Sequence, residues 1–239
     1  MIVNKSDSIT AVIPVREGSR RLKNKNIAPF AGSNLLVHKI EQLKKVKEIT
    51  NIVVSSDSEL MLNMAKLNGV NTHKRAIEYC DEKSKSFGEV VNHIADSVDG
   101  EHILWATCTC PLVTPKVYSK AITQYFQALS DGHDSLVSFE ILKKYLWSEN
   151  GPINYKLGLE HIPSQDLPNI YVPTFGVTMS PRKKMIEWNY FHGRNPYKFI
   201  IDKRSSIDID DGLDLAVARA WLDMDESVSQ IDPFQESHL

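Results

Sequence analysis

The sequence predicts an α/β fold, three layers deep, around a mostly parallel sheet. Two observations predict it. Short β-branched and apolar runs recur along the chain, and segments of about ten to fifteen residues with helical apolar spacing separate them. That alternation implies right-handed crossovers, which keep successive strands parallel and set helices on both faces. A third observation says where chemistry belongs: a basic, glycine-containing loop follows the first strand, and in such sheets ligands collect at the carboxyl ends of strands.

Residues 9–15 read as a short buried strand, and residues 35–46, apolar at helical spacing, as the helix after the loop. Residues 51–55 carry the next β-branched run. In 58–68, Leu60, Met61, Met64, Ala65 and Leu67 recur at helical spacing, and Gly69 closes the helix. Residues 70–74 are a weak third strand, 86–97 a helix, 102–107 a strand, and 115–129 a helix opened by Pro115. Residues 135–140 make a further strand. From about residue 141 to 172 the periodicity breaks. Trp147, Gly151, Pro152, Gly158, Pro163 and Pro168 punctuate a stretch too long for a bare connection, which predicts an inserted lobe. The sheet resumes at 175–179 and 198–201, a last helix spans 212–222, and a polar tail follows Met224.

With 239 residues, 42% of them hydrophobic and 24% charged, the chain can bury the core of a single domain over 1–239. A net charge of -2 and a pI near 6.4 give no global cationic field, which argues against nucleic acid or an anionic membrane as partner. No apolar run has the length to span a bilayer. Cys80, Cys108 and Cys110 are a sparse, odd set that suits the reducing cytoplasm. Cys108-x-Cys110 lacks the second pair a zinc site needs, so these read as buried thiols.

The loop after the first strand holds Pro14, Arg16, Gly18, Ser19, Arg20, Arg21, Lys23, Lys25 and Asn26, five of them cations. Such a loop can wrap a polyphosphate: glycine lets the backbone approach, serine and backbone N–H groups donate, and Arg and Lys add charge. It lacks the spacing of a Walker loop, and the bland alternative is a solvated basic turn. Near the C-terminus, Asp208 and Asp210 are two apart, so an extended segment turns both carboxylates to one side. Paired carboxylates of that kind suit Mg2+, which takes one or two carboxylates plus phosphate oxygens and waters. Here the alternative is that Asp210 or Asp211 caps the following helix.

The run Ala11-Val-Ile-Pro-Val-Arg-Glu-Gly-Ser-Arg-Arg-Leu-Lys-Asn-Lys-Asn26 resembles the signature of the acylneuraminate cytidylyltransferases, Ile-Pro-Ala-Arg-Gly-Gly-Ser-Lys-Gly-Ile-Pro-x-Lys-Asn. Arg16, Gly18, Ser19, Lys25 and Asn26 match, while Val15, Glu17, Arg21 and Lys23 depart. Ser206-Ile-Asp-Ile-Asp-Asp-Gly-Leu-Asp-Leu215 resembles the family's Ser-Ile-Asp-Ile-Asp-Thr-x-x-Asp-Leu, with Asp214 structural in the helix. Val53-Val-Ser-Ser-Asp-Ser58 is similar to a family strand end, where Asp57 serves as a helix cap. Arg75 and Glu78 fall on its Arg-Pro-x-Glu, and Ser86 on a base-contacting serine.

The resemblance implies a Rossmann-like nucleotidyltransferase sheet with a small inserted dimerisation lobe, a homodimer, and CTP and an acidic sugar as substrates. It implies that Arg16, Ser19, Arg20 and Lys25 hold the triphosphate, that Asn26 reaches toward the cytosine, and that Asp208 and Asp210 hold magnesium. Attack of a sugar hydroxyl on the α-phosphorus of CTP would then give a CMP-sugar and pyrophosphate. No histidine stands out as a base; His73, His93 and His102 read as core or surface residues.

The acceptor side departs from the family. Its Gln-Pro-Thr-Ser-Pro-Leu-Arg turn is here Thr107-Cys-Thr-Cys-Pro-Leu-Val113, leaving Thr107 as an acceptor candidate. Gln165-Asp-Leu-Pro168 resembles the family's Gln-x-Leu-Pro, yet Ser164 and Val172 stand where sialate-specific relatives carry arginines, and Trp147 where they carry a lysine. A bidentate arginine is not replaced by serine or valine. Either the acceptor differs, or Lys143, Lys144, Lys156 or Arg182 supplies the charge. The Kdo cytidylyltransferases fit less well, since their Gly-Asp-x-Pro aspartate is missing. The alternatives are a cytidylyltransferase for another acidic or phosphorylated acceptor, and a non-catalytic CTP-binding homologue.

Overall fold

Apolar or β-branched residues at every position of Ile9–Pro14 form β1, a strand buried along nearly its whole length. The computed structural model describes residues 7–19, 21–81, 83–222 and 224. After the loop come a small hairpin, β2 (Pro29–Phe30) with β3 (Ser33–Asn34), and α1 (Leu35–Lys44), capped by the Asn34 side chain. Then β4 (Asn51–Ser56), α2 (Glu59–Leu67), β5 (Asn71–Lys74), α3 (Phe87–Asp96), β6 (His102–Trp105) and α4 (Pro115–Ser130) alternate as expected. The chain continues through β7 (Ser135–Leu142), the short β8 (Trp147–Ser148) and β9 (Gly151–Pro152), β10 (Ile170–Pro181), α5 (Arg182–Trp188), β11 (Pro196–Ile200) and α6 (Gly212–Leu222).

The main sheet has seven strands in the order β11-β7-β10-β6-β1-β4-β5. Pairs β1–β4, β1–β6, β4–β5 and β7–β11 are parallel, with α1 crossing from β1 to β4 and α2 from β4 to β5. Strand alternation sorts the core: Ile9, Ala11 and Ile13 face the side covered by α1, α2, α4 and α6, while Val12 faces α3 and α5. Two apolar layers of side chains thus separate three layers of structure.

β10 alone runs against its neighbours, antiparallel to both β6 and β7. It begins at Ile170, well before the expected 175–179, and its first part extends the ladder, with Ile170 opposite Leu142 and Val172 opposite Glu140. The predicted lobe of 141–172 therefore narrows to the stretch between Leu142 and Ile170. Its two stems are strand, but they run out beyond the helical layers and are partly exposed, so they lack the buried pattern that marks a core strand. The ladder breaks between Pro173 and Thr178, where Phe175 takes φ 54°.

Candidate functional site

β1, β4 and β6 end side by side, and the loop after β1 closes over their carboxyl ends. Val15 N donates to Ser55 O at 2.9 Å, which carries the β1–β4 ladder one step further. Gly18 turns the chain with φ +78°, in the left-handed region that favours glycine. The Glu17 amide donates to Asp57 Oδ1 at 3.0 Å. Asp57 is therefore a tie for the loop and not the expected cap of α2, whose N-cap is Ser58. Glu17 itself is exposed and is not among the residues lining the cleft.

Two further residues hold the loop from inside. Arg75, 5% exposed, donates to the carbonyls of Val15, Ser55 (3.3 Å) and Tyr79 (3.4 Å). Asn26, also buried, donates from Nδ2 to Arg16 O at 2.9 Å and accepts from Cys108 Sγ at 3.3 Å. Both line the cleft, yet the Arg75 Nη atoms and the Asn26 amide are bonded to the backbone and a thiol, while Arg75 Nε is buried without a partner among the described residues. They shape the walls before they touch any ligand.

The cleft encloses about 740 Å³. Arg16, Ser19, Arg21, Lys25 and Lys85 bring donors to it, and Tyr79, Phe87 and Trp105 give it apolar walls. Arg16 Nη1 also donates to Cys80 O at 3.1 Å. Lys25 and Arg21 both reach Asp210 Oδ1, at 3.1 and 2.9 Å. Arg20 lies outside the described residues. Ser86 lines the cleft and also caps α3, its hydroxyl accepting from the Glu89 amide while Glu89 accepts from the Ser86 amide. Lys85 pairs with Glu89 at 3.4 Å and stands 5.6 Å from the Tyr79 ring centroid. Sequence reasoning singled out neither Lys85, Tyr79 nor Trp105. Their only signal was proximity in sequence to Ser86, Glu78 and Thr107.

Of the two aspartates, Asp210 lines the cleft and Asp208 is exposed beside it, with Ile209 fully buried between them. The Ile209 amide donates to Thr109 O at 2.8 Å, which ties this segment to the turn after β6. Asp211, not Asp210, caps α6: its Oδ1 accepts from the amides of Leu213 and Asp214. Asp214 returns the contact, accepting from the Asp210 and Asp211 amides. Capping thus falls to a neighbouring pair, and Asp210 is left to the loop cations.

Thr107 lines the cleft and donates to Cys110 Sγ at 3.3 Å. Cys80, Cys108 and Cys110 are free and buried. Burial, reinforced by the charge of Asp208, pushes the Cys110 thiol up to about 12, and burial pushes Cys108 to about the same value, so both stay protonated. Burial, followed by the charges of His93 and Arg75, holds His73 down to about 4. It is neutral, shares a hydrogen bond with Ser55 Oγ, and no histidine is among the described residues lining the cleft.

The lobe contributes less. Gln165 is exposed in a short turn and does not line the cleft, and Trp147 is 59% exposed. Three of the four cations proposed for the acceptor are otherwise engaged. Lys143 donates to Leu167 O, Lys156 pairs with Glu160, and Arg182 donates to Gly100 O and Ala95 O, tying α5 to the end of α3. Lys144 is exposed.

A mostly parallel sheet whose strand ends gather cations around an open cleft with apolar walls defines an α/β protein with a site that suits a polyanion. The family model described as cytidylyltransferase matches residues 10–152, and the chain belongs to that family. It is 24% identical to the N-acylneuraminate cytidylyltransferase of Escherichia coli O18:K1:H7, over 96% of this chain and 55% of that protein. It is 26% identical to the pseudaminic acid cytidylyltransferase of Campylobacter jejuni, over 87% of this chain and 93% of that protein. The chain thus spans about half the length of the N-acylneuraminate enzymes it matches. Among solved structures, CMP:2-keto-3-deoxy-manno-octonic acid synthetase complexed with CTP superposes with a TM-score of 0.67 at 13% identity, covering 90% of this chain and 98% of that one. The 4-diphosphocytidyl-2C-methyl-D-erythritol synthase of Anaerococcus prevotii gives 0.65 at 14% identity, covering 92% and 100%. At those identities the likeness shows the shared fold.

Proposed function

We propose that the protein transfers CMP from CTP to an acidic sugar, releasing pyrophosphate. The observation that carries this reading is the cleft at the ends of β1, β4 and β6, where Arg16, Ser19 and Lys25 converge with Asp210, in a chain of the cytidylyltransferase family. The names of its relatives, N-acylneuraminate, pseudaminic acid and 3-deoxy-manno-octulosonate cytidylyltransferases, share an acidic sugar as acceptor.

In that reaction an acceptor hydroxyl oxygen bonds to the α-phosphorus, and the bond from that phosphorus to the bridging oxygen breaks. Pyrophosphate leaves with the electron pair, and the hydroxyl proton is lost to water. Arg16, Lys25 and the backbone amides of the loop hold the triphosphate and the charge that builds on the leaving group. Ser19 donates to it, and Arg75 keeps the loop's carbonyls turned inward, away from the phosphates. Trp105, Phe87 and Tyr79 restrict water on one side of the cleft.

The carboxylates of Asp208 and Asp210 are hard oxygen donors alternating about a buried residue, a set that fits magnesium completed by phosphate oxygens and water. When bound, magnesium would offset phosphate charge and hold the triphosphate in one geometry.

The free thiols support a reducing, cytoplasmic setting. The apolar residues exposed on the lobe, Trp147, Ile153, Leu157 and Leu159, support a homodimer formed through it. The engagement of Lys143, Lys156 and Arg182 elsewhere favours, as a second reading, an acceptor other than N-acylneuraminate. Incubation with CTP, magnesium and a panel of nonulosonic and octulosonic acids, read by pyrophosphate release and product mass, tests both. Turnover with one acid and a CMP-sugar product supports the proposal, and no turnover with any of them overturns it.

A further inference from the structure

α1 lays three polar side chains against the turn that follows β6. His38 Nε2 and Gln42 Nε2 both meet Pro111 O, at 3.0 and 2.8 Å. Between them Lys39, 0% exposed, donates to Cys110 O at 2.9 Å and to the Tyr118 hydroxyl at 2.8 Å, with its ammonium 4.9 Å from the Tyr118 ring centroid. Among the described residues no carboxylate forms an ion pair with it. A buried ammonium without a counter-charge opposes folding, and a leucine or methionine would fill the same space without that cost. Packing therefore does not account for a lysine here.

What it holds does. The turn under Lys39 is tied to both halves of the cleft. Cys108 donates to Asn26, which donates to Arg16 O in the triphosphate loop. Thr109 O accepts from the Ile209 amide, between Asp208 and Asp210. On the far side, the Tyr118 hydroxyl donates to Gly176 O at 3.3 Å, beside the break in the β10 ladder. There a Cβ on Gly176 would sit 3.1 Å from Val113 Cγ2, so β10 rests directly on the same turn. One ammonium thus fixes, from beneath, the piece of backbone that sets the loop and the aspartates apart.

We infer that Lys39 is a positioning residue for nucleotidyl transfer, holding the 107–110 turn so that the Arg16 loop and the Asp208–Asp210 segment keep their spacing. The inference rests on the proposed CMP transfer for its kinetic test, but not for its structural one. A displacement of about 1 Å in such a frame is enough to lower a rate by orders of magnitude.

The test compares wild type with Lys39→Met and Tyr118→Phe. Lys39→Met is expected to melt at or above the wild-type temperature at pH 7. Its kcat falls about tenfold or more while the KM for CTP changes by less than about threefold. Deuterium exchange without ligand quickens at both 107–110 and 15–19. Wild-type kcat in folded Lys39→Met overturns the inference, and so does a lower kcat with unchanged exchange at 107–110 and 15–19. If Lys39→Met fails to fold, Tyr118→Phe decides: about a threefold lower kcat with faster exchange at the turn supports it, and wild-type values for both overturn it. If wild type itself gives no turnover with CTP, the proposed function fails, and exchange alone then decides for or against Lys39.

Discussion

The loop after β1 and the lobe are both irregular segments leaving a strand, yet they are built in opposite ways. The loop is tied by bonds from four distant elements: Asp57 after β4, Arg75 after β5, Cys108 after β6 and Asp210 before α6. The lobe is held mainly by itself, through the Lys156–Glu160 pair, the Tyr145 bond to Ile162 O and stacked rings of Tyr145 and His161, and it leaves Leu159 107% exposed. A segment that must meet one fixed ligand is locked before the ligand arrives. The lobe presents apolar surface and shows no such lock.

Four changes would break or sharpen that contrast. The largest effect on stability should come from Arg75→Met, which takes a side-chain donor from the carbonyls of Val15, Ser55 and Tyr79 and leaves Ser55 O only its bond from Val15 N: a loss of about 3 kcal/mol in urea unfolding is expected, against none for Lys144→Met in the lobe. Lys25→Ala should lower kcat/KM for CTP by about 10²-fold, with Gln165→Ala within about twofold in the same assay. Lys39 gives a pH signature of up to about 3 kcal/mol. Burial, its principal perturbation, pulls its ammonium down to about 8 from an ordinary 10.5. Between those values the unfolded chain binds more protons at this site, so Lys39 adds a rise of stability with pH that opposes the fall from the buried Cys108 and Cys110 thiols above about pH 9, and this contribution should be absent from Lys39→Met. Smallest of all, Leu159→Ser should shift the unfolding free energy of the monomer by less than about 0.5 kcal/mol. It should weaken self-association in sedimentation if the lobe forms the dimer, and an unchanged mass would remove that role.

The alternation of strands and helices was legible because core strands here carry their burial in their residue types, as β1 shows at every position. The cleft was legible in part. Arg16, Ser19, Lys25 and Asp210 stand where the spacing placed them, since a loop after β1 and an alternating Asp-Ile-Asp depend on local geometry alone. What the sequence hid depends on contacts far along the chain. Asp57 looks like a cap until Glu17 is seen above it, and nothing local to Asn26 announces its bonds to Arg16 O and Cys108. β10 was cut short because its first half is exposed and interrupted by Pro173, which removes the alternation that a strand is recognised by.

The pairing of Lys25 and Arg21 with Asp210 has a thermodynamic consequence. These cations do not wait for phosphate in a cloud of solution anions, because the chain supplies an anion of its own. An incoming triphosphate would exchange with a carboxylate and release few ions to the bulk. Salt should therefore weaken nucleotide binding only gently in the wild type, and measurably more steeply in Asp210→Asn, where mobile ions must stand in for the missing charge.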